Sequence, residues 1–388
     1  MQPSIKIRIY KRLDRMLSDL VRAVPHPKRA LGRTPTRVLI IKLSAMGDSL
    51  CLFPTVRQLA LAFPGATIDW LTSNRSNPAL FAELPFIRTI FVTPPSLVRA
   101  LTYLGGWLFR ARRYDLTIDY DQYYCISELI AGMSACSAGF RTSLKGTTFS
   151  LSVEYDPLLN EKAMFRKLTE RVFATYGVSI PDYRAELPEL IERFVPSAQL
   201  QTLRARLKAQ GKPIVGIYPG SGANATFRRW GVGNYVALIE RYKDRYAFVL
   251  LGGPDERDLQ ADLKDIDGVF NLIDSMSLKG VAWFLKHTID LLVGNDGGLL
   301  HVAESQAVAT VGIFGPALYR KWGSSLERSI GVEKELPCRP CLKNYLGTVP
   351  SACCLGTTAC LSAISTDDVA QAMHRAVHRI HVVPIAHA

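Results

Sequence analysis

Nine consecutive residues, Val293-Gly294-Asn295-Asp296-Gly297-Gly298-Leu299-Leu300-His301, bring a carboxylate, paired glycines and an imidazole into one short segment. The apolar run Ile289–Val293 before it reads as a buried strand, Leu299–Ser305 has a helical pattern, and Ala309–Phe314 is a second apolar run. A glycine turn between strand and helix presents free backbone N–H groups at the positive end of a helix dipole. That arrangement favours a phosphate. Asp296 can cap the helix or accept a sugar hydroxyl, and an ordinary capped turn would use the same residues. Two further loops follow strands in the same way. Ile214–Ile217 leads into Pro219-Gly220-Ser221-Gly222, with Arg228 six residues on, and Arg37–Lys42 leads into Leu43-Ser44-Ala45-Met46-Gly47-Asp48. Ser221 and Gly222 offer a hydroxyl and an N–H, and Arg228 a two-pronged cation. Asp48 suits a helix N-cap or a general base.

The elements that must hold these loops alternate. Strand patterns at Arg37–Lys42, Thr67–Leu71, Thr89–Val92 and Leu116–Asp119 are separated by helical ones, and a second alternation runs from Ile214 to Phe314. This predicts an α/β architecture of two doubly wound parallel sheets, with ligands at the carboxyl ends of strands and a central cleft between two facing halves. The expected domains are a basic amphipathic extension at 1–36, a first half at 37–195 and a second at 212–388. The mainly helical, proline-punctuated stretch after Leu151 leads to the crossing between them.

At 388 residues, 48% hydrophobic and 21% charged, the chain is globular rather than disordered. The net charge is +13, and residues 1–37 carry ten Lys and Arg against two Asp. Ile9, Leu13, Met16, Leu17, Leu20 and Val24 recur at helical spacing there, so a basic amphipathic helix is expected. Such an arm suits an anionic membrane surface or packing on its own protein. No apolar run is long enough to span a bilayer and no signal peptide is visible, so a cytoplasmic protein is expected, with peripheral contact at an anionic membrane surface through the arm.

Eight cysteines are present. Cys51, Cys125 and Cys136 lie in apolar surroundings, as buried thiols do. Cys338 and Cys341 form C-x-x-C, and Cys353 or Cys354 with Cys360 completes a set of four. In a reducing compartment that set suits a structural zinc or iron. The same loop adds Arg339 and Lys343 as cations for an anionic ligand.

Four segments together resemble glycosyltransferase family 9, the bacterial heptosyltransferases. They are Lys42–Asp48 with Pro54; Pro219-Gly220-Ser221 with Arg228-Arg229-Trp230; Met276-Ser277-Leu278; and Asn295–Ala303 with Phe314-Gly315-Pro316. The resemblance spans residues 37 to about 320 and leaves out the arm. It implies the two-domain GT-B fold, an ADP-heptose donor and a lipopolysaccharide inner-core acceptor. It implies Asp48 as the base, and Arg228 where the family usually has lysine. Donor contacts are implied at Gly47, Ser221, Gly222, Asp296, Gly297, Gly298 and His301, with Met276 near adenine and Glu256 near ribose.

No Asp-X-Asp pair sits where a metal-dependent transferase would put it, and Asp119-Tyr120-Asp121 follows a strand of the first half, away from the diphosphate loops. A direct, inverting displacement without a catalytic cofactor is therefore expected. Some relatives that glycosylate autotransporter adhesins carry cysteine-bound iron, which makes protein O-heptosyl transfer, with Cys338, Cys341, Cys354 and Cys360 on metal, the first alternative. A non-catalytic nucleotide- or nucleic-acid-binding module is the second. It is disfavoured because the arm lacks aromatics interleaved for base stacking. The oligomeric state is left open.

Overall fold

The computed structural model describes Met16 and residues 33–73, 77–263, 266–343 and 353–382. The expected N-terminal amphipathic helix therefore lies outside the described residues.

The chain divides into two units, with the main break between Arg184 and Ala185 and with Leu342 and Lys343 grouped with the first unit. This division comes earlier than the expected break between 195 and 212. The reason is local. Leu187 donates its N–H to the Ser305 carbonyl and accepts from Gln306 Nε2 at 3.1 Å, and Phe194 packs against Trp283. The segment after Arg184 is thus part of the second unit's structure rather than a free crossing.

In the first unit β1 (Arg37–Ile41), β2 (Thr67–Thr72), β3 (Thr89–Val92), β4 (Leu116–Asp119), β5 (Cys136–Arg141) and β6 (Leu151–Glu154) form a six-stranded sheet in the order β3-β2-β1-β4-β5-β6. In the second, β7 (Ile214–Tyr218), β8 (Ala247–Gly252), β9 (Phe270–Ile273), β10 (Leu291–Asn295), β11 (Ala309–Ile313) and β12 (Ile330–Val332) are ordered β12-β11-β10-β7-β8-β9. Neighbouring strands are parallel throughout both sheets. Parallel neighbours need crossover connections, and helices between the strands supply them. Each sheet is doubly wound, and the winding reverses between β1 and β4 in one and between β7 and β10 in the other. Loops leaving the carboxyl ends of those strand pairs diverge, and the divergence opens a crevice in which ligands bind.

Both cores follow from the strand sequences. Leu39, Ile41 and Leu71 pack with Leu104, Trp107 and Ile130. Ile217, Val293, Val311 and Ile313 pack with Tyr235, Leu238, Val369 and Met373. β5, β6 and β12 are strands that hydropathy does not announce. Cys-Ser-Ala-Gly-Phe lacks the β-branched residues that mark a strand. Its Gly139 is required by packing, because a Cβ there would collide with the Phe149 ring. No helix among the described residues is long and apolar enough to cross a membrane.

Candidate active site

The first switch point is built from the ends of β1 and β4. Lys42 follows β1 directly and its side chain is wholly buried. Its ammonium lies 3.0 Å from Asp48 Oδ2 and 3.3 Å from Asp121 Oδ1, and donates to Gln122 Oε1 at 3.1 Å. Asp121 Oδ2 accepts the Leu43 N–H at 2.7 Å, which ties the β1 loop to the β4 loop. Gln122 donates to Glu161, whose other oxygen accepts from Tyr155 at 2.7 Å. A second pair lies alongside. Lys145 contacts Asp119, and Ser127 donates to Asp119 Oδ2 at 2.7 Å.

Asp48 is not the N-cap of its helix. The helix Met46–Ala62 is capped at Ala45, with no side-chain cap bond, and Asp48 sits in the first turn with its carboxylate on Lys42. Its side chain is 20% exposed, the only exposed member of the Lys42–Asp48–Asp121 trio. Burial pushes its carboxyl above the ordinary 3.8, Lys42 pulls it down, and the balance is upward. For Lys42, burial lowers the ammonium pKa, but Asp48, Asp121 and Glu161 outweigh it and the lysine stays charged. The arrangement holds a partly exposed carboxylate in a fixed orientation, with basicity raised above that of a surface aspartate. A general base needs both. Gly47 precedes it in the same first turn.

The second switch point is built from the ends of β7 and β10. Arg228 ends a short 3-10 helix (Ala223–Arg228), and its Nη1 lies 3.2 Å from Asp296 Oδ2. Asp296 does not cap the helix Gly298–Ser305, whose N-cap is Gly297 with no side-chain bond. Burial raises the Asp296 carboxyl and Arg228 lowers it, with a net upward shift. Among the described residues the N–H groups of Gly297 and Gly298 meet no protein acceptor, as an anion seat at a helix start requires. Gly297 has a structural reason as well. A Cβ there would stand 2.8 Å from the Tyr218 ring.

The loop after β7 is braced from within. Ser221 Oγ donates to the Ala225 carbonyl at 2.8 Å, and the Gly222 N–H goes to Glu256 Oε1 at 3.1 Å. Both groups expected on the diphosphate are engaged by the protein in this structure. Glu256, expected near ribose, is buried and also accepts the Gly253 N–H at 2.8 Å. Gly222 takes φ +74°, a turn conformation that L side chains avoid. Gly220 has no room for any side chain, since a Cβ would strike Glu256 Cγ. Gly220→Ala is therefore expected to expel the Glu256 carboxylate from its seat. We expect a loss of about 1–3 kcal/mol in stability. Thermal melts check this, and an unchanged melt would remove Glu256 from the bracing role.

His301 is buried on the helix Gly298–Ser305, and Met276 is partly buried between β9 and the helix Leu278–Thr288. Trp230 is a packing residue. Its indole donates to the Ile364 carbonyl at 2.8 Å and its ring stands edge-on to Tyr235. Arg229 is held by Asp258 at 2.6 Å.

Sequence reasoning passed over Asn295. Its side chain accepts from the Trp230 N–H at 3.0 Å and the Tyr235 hydroxyl at 2.9 Å, and donates to the Pro219 and Gly220 carbonyls at 2.7 and 3.0 Å. One amide thus fixes the β10 turn to the β7 loop. Lys42 was passed over too, as the last residue of an apolar run, where a buried lysine is itself a signal for a charged partner.

The cysteine region does not support the expected structural metal. Among the described residues no group of three or more His, Cys, Asp or Glu is arranged to hold a metal ion. Cys338, Cys341, Cys354 and Cys360 are free thiols, with Cys354 exposed and Cys360 buried in the second core. Burial raises the Cys341 and Cys360 thiols and a hydrogen bond to Cys338 raises Cys354, whereas backbone hydrogen bonds lower Cys353. Arg339 is not a free cation for an acceptor either. Its guanidinium donates to the Gly315, Ala317 and Lys334 carbonyls and to Glu333.

Comparisons with known proteins agree with this architecture. The family model described as glycosyltransferase family 9 (heptosyltransferase) matches residues 109–347. Lipopolysaccharide heptosyltransferase 1 of Pseudomonas aeruginosa is 26% identical over 337 residues, covering 79% of this chain and 86% of that protein. Among solved structures, the family 9 glycosyl transferase of Veillonella parvula superposes with a TM-score of 0.66 at 17% identity, over 89% of this chain and 97% of that one. The E. coli heptosyltransferase WaaC with ADP gives 0.62 at 16%, over 88% and 100%. At such identities these two structures speak for the fold, which is GT-B. The family match covers more than half of the chain, and the chain belongs to glycosyltransferase family 9, the heptosyltransferases, as a glycosyltransferase with two doubly wound Rossmann-like units.

Proposed function

We propose that the chain transfers heptose from an ADP-heptose donor to a lipopolysaccharide inner-core acceptor, inverting the anomeric centre without a catalytic metal. The observation that carries this reading is the partly exposed Asp48 carboxylate held 3.0 Å from the buried Lys42 ammonium at the first switch point. Asp48 takes the proton from the acceptor hydroxyl. The oxygen attacks the anomeric carbon from the face opposite the diphosphate, the bond to the leaving phosphate oxygen breaks, and its electron pair departs with ADP. One displacement of this kind inverts configuration.

Arg228 and the N–H groups of Gly297 and Gly298 supply positive charge and donors for the leaving diphosphate. His301, Ser221, Gly222, Glu256, Met276 and Asp296, all of the second unit, shape the donor seat. A metal would need free carboxylates. Asp119 and Asp121, the one Asp-X-Asp pair of the first unit, are each committed to a lysine. The lipid acceptor is preferred to a protein acceptor because a curated relative covered over 86% of its length is named a lipopolysaccharide heptosyltransferase. The enzyme would then work at the cytoplasmic face of the inner membrane.

Transfer assayed with ADP-heptose and a lipid A–core acceptor, with the product anomer read by NMR, tests the reading. Inverted product insensitive to chelator is expected. Retained configuration, or activity abolished by chelation and restored by a metal, would overturn it. Arg228→Gln is expected to weaken ADP binding about tenfold, the scale of one lost charge-assisted contact to phosphate. Calorimetric titration with ADP measures this. Unchanged affinity would take Arg228 off the diphosphate.

A further inference from the structure

The helix Leu97–Arg110 packs on the first sheet by one face only. Ala100, Leu104 and Trp107 point inward, and Leu104 and Trp107 join Leu39, Leu71 and Phe91 in the first core. The opposite face carries Val98, Leu101, Gly105 and Phe109, which helical spacing sets in one stripe. Val98 and Phe109 are each 70% exposed, Leu101 is also exposed, and a side chain added at Gly105 or Gly106 would meet open space. Isolated exposed apolar residues need no explanation, but a stripe of them rimmed by one sign of charge does. Arg99, Arg110, Arg112 and Arg113 form that rim, and no acidic residue occurs between Ser96 and Tyr114. Two of these arginines lie over aromatic rings, Arg112 at 5.4 Å from the Phe109 centroid and Arg110 at 5.6 Å from that of Tyr103. Their apolar stems and charged heads are thereby layered along the helix surface.

We propose that this face docks the chain on an anionic lipid bilayer, with Val98, Leu101 and Phe109 entering the headgroup boundary and the four arginines meeting lipid phosphates. The proposal rests for its biological use on the reading of a lipid-borne acceptor, though its test does not. Charge decides among occupants. A second copy would present the same four cations. The chain's own residues 1–37, with ten basic residues against two acidic, would repel them also. Nucleic acid would match the charge, but Val98 and Leu101 offer no ring for a base. An anionic bilayer satisfies both features at once, apolar insertion and attraction of about 1 kcal/mol per Lys or Arg at its surface.

The experiment is cosedimentation of the full chain with phosphatidylcholine vesicles, with and without phosphatidylglycerol. Wild type is compared with a Val98→Ser, Phe109→Ser double variant and with an Arg99→Gln, Arg113→Gln double variant. Equal thermal melts establish that the variants fold. Expected is binding only to the anionic vesicles, weakened about tenfold or more in the serine variant, with a shallower salt dependence in the glutamine variant. Binding by the serine variant equal to wild type, or no binding by wild type, would overturn the proposal. So would a serine variant that changes oligomeric state, because the stripe would then be a contact between copies. Transfer to a soluble, delipidated core acceptor separates the two readings. Vesicle binding without any transfer keeps the docking face and rejects the acceptor assignment. Equal transfer by wild type and serine variant, with binding lost only in the variant, supports both.

Discussion

Asp48→Asn is expected to lower kcat for heptose transfer by about 10²–10⁴-fold, the range lost with a positioned general base, and to leave ADP affinity unchanged. The amide keeps the volume of the carboxylate and its oxygen can still accept from Lys42, so the loop need not move. It cannot take a proton. The ADP contacts proposed above lie on the β7 and β10 loops of the second unit, and the hydrogen bonds that hold those loops do not involve Asp48. Separate measurement of ADP binding and single-turnover transfer checks this. Equal loss of both would mean that Asp48 supports structure rather than chemistry. The wild-type pH profile carries a second signature. A base works only when deprotonated, so kcat/KM falls as pH drops through its pKa. Burial places that pKa above 3.8, and the acid limb is expected above the range of an exposed aspartate.

The arrangement of strands was readable because buried parallel strands are short continuous apolar runs, and β1, β7, β10 and β11 are of that kind. β5 and β12 escaped because each uses a glycine to admit an aromatic ring, Phe149 at Gly139 and Tyr319 at Gly331. Their stability comes from a ring distant in sequence rather than from their own hydropathy. Loops with chemistry were readable as loops, since Gly220, Gly222 and Gly297 mark turns in any sequence. What those glycines accommodate was not, because Glu256 and Tyr218 reach them only in three dimensions. Cysteine spacing read as a metal knuckle for the opposite reason. Spacing shows which thiols could meet, not how the fold arranges them.

The same limit hid Lys42, and the lysine carries the second large effect. It is a positioning residue, wholly buried and in contact with Asp48. Lys42→Met keeps the stem and removes the charge. Asp121, wholly buried, then faces Asp48 and Glu161 without the ammonium that bound them, while Lys145, which reaches the Asp121 carbonyl at 3.1 Å, stays on Asp119. Breaking a buried pair by removing one partner costs about 3–5 kcal/mol, and a fall in unfolding free energy of that size, read from denaturant titration, is expected. The lysine's own pKa is raised in the fold, so its contribution is complete below 10.5 and is lost only as pH climbs through the raised value. Across neutral pH the deficit of the variant should therefore be constant as far as this group is concerned. A merely structural lysine would stop there. Lys42 also lowers the Asp48 carboxyl against the upward push of burial, so its removal must move the acid limb of kcat/KM to higher pH. Lys42→Arg, which restores the charge, should bring the limb back towards the wild-type position. A stable Lys42→Met enzyme whose acid limb stays in place would show that the Asp48 carboxylate is tuned by its burial alone, and the ion pair at the end of β1 would then be a folding device without a part in the transfer.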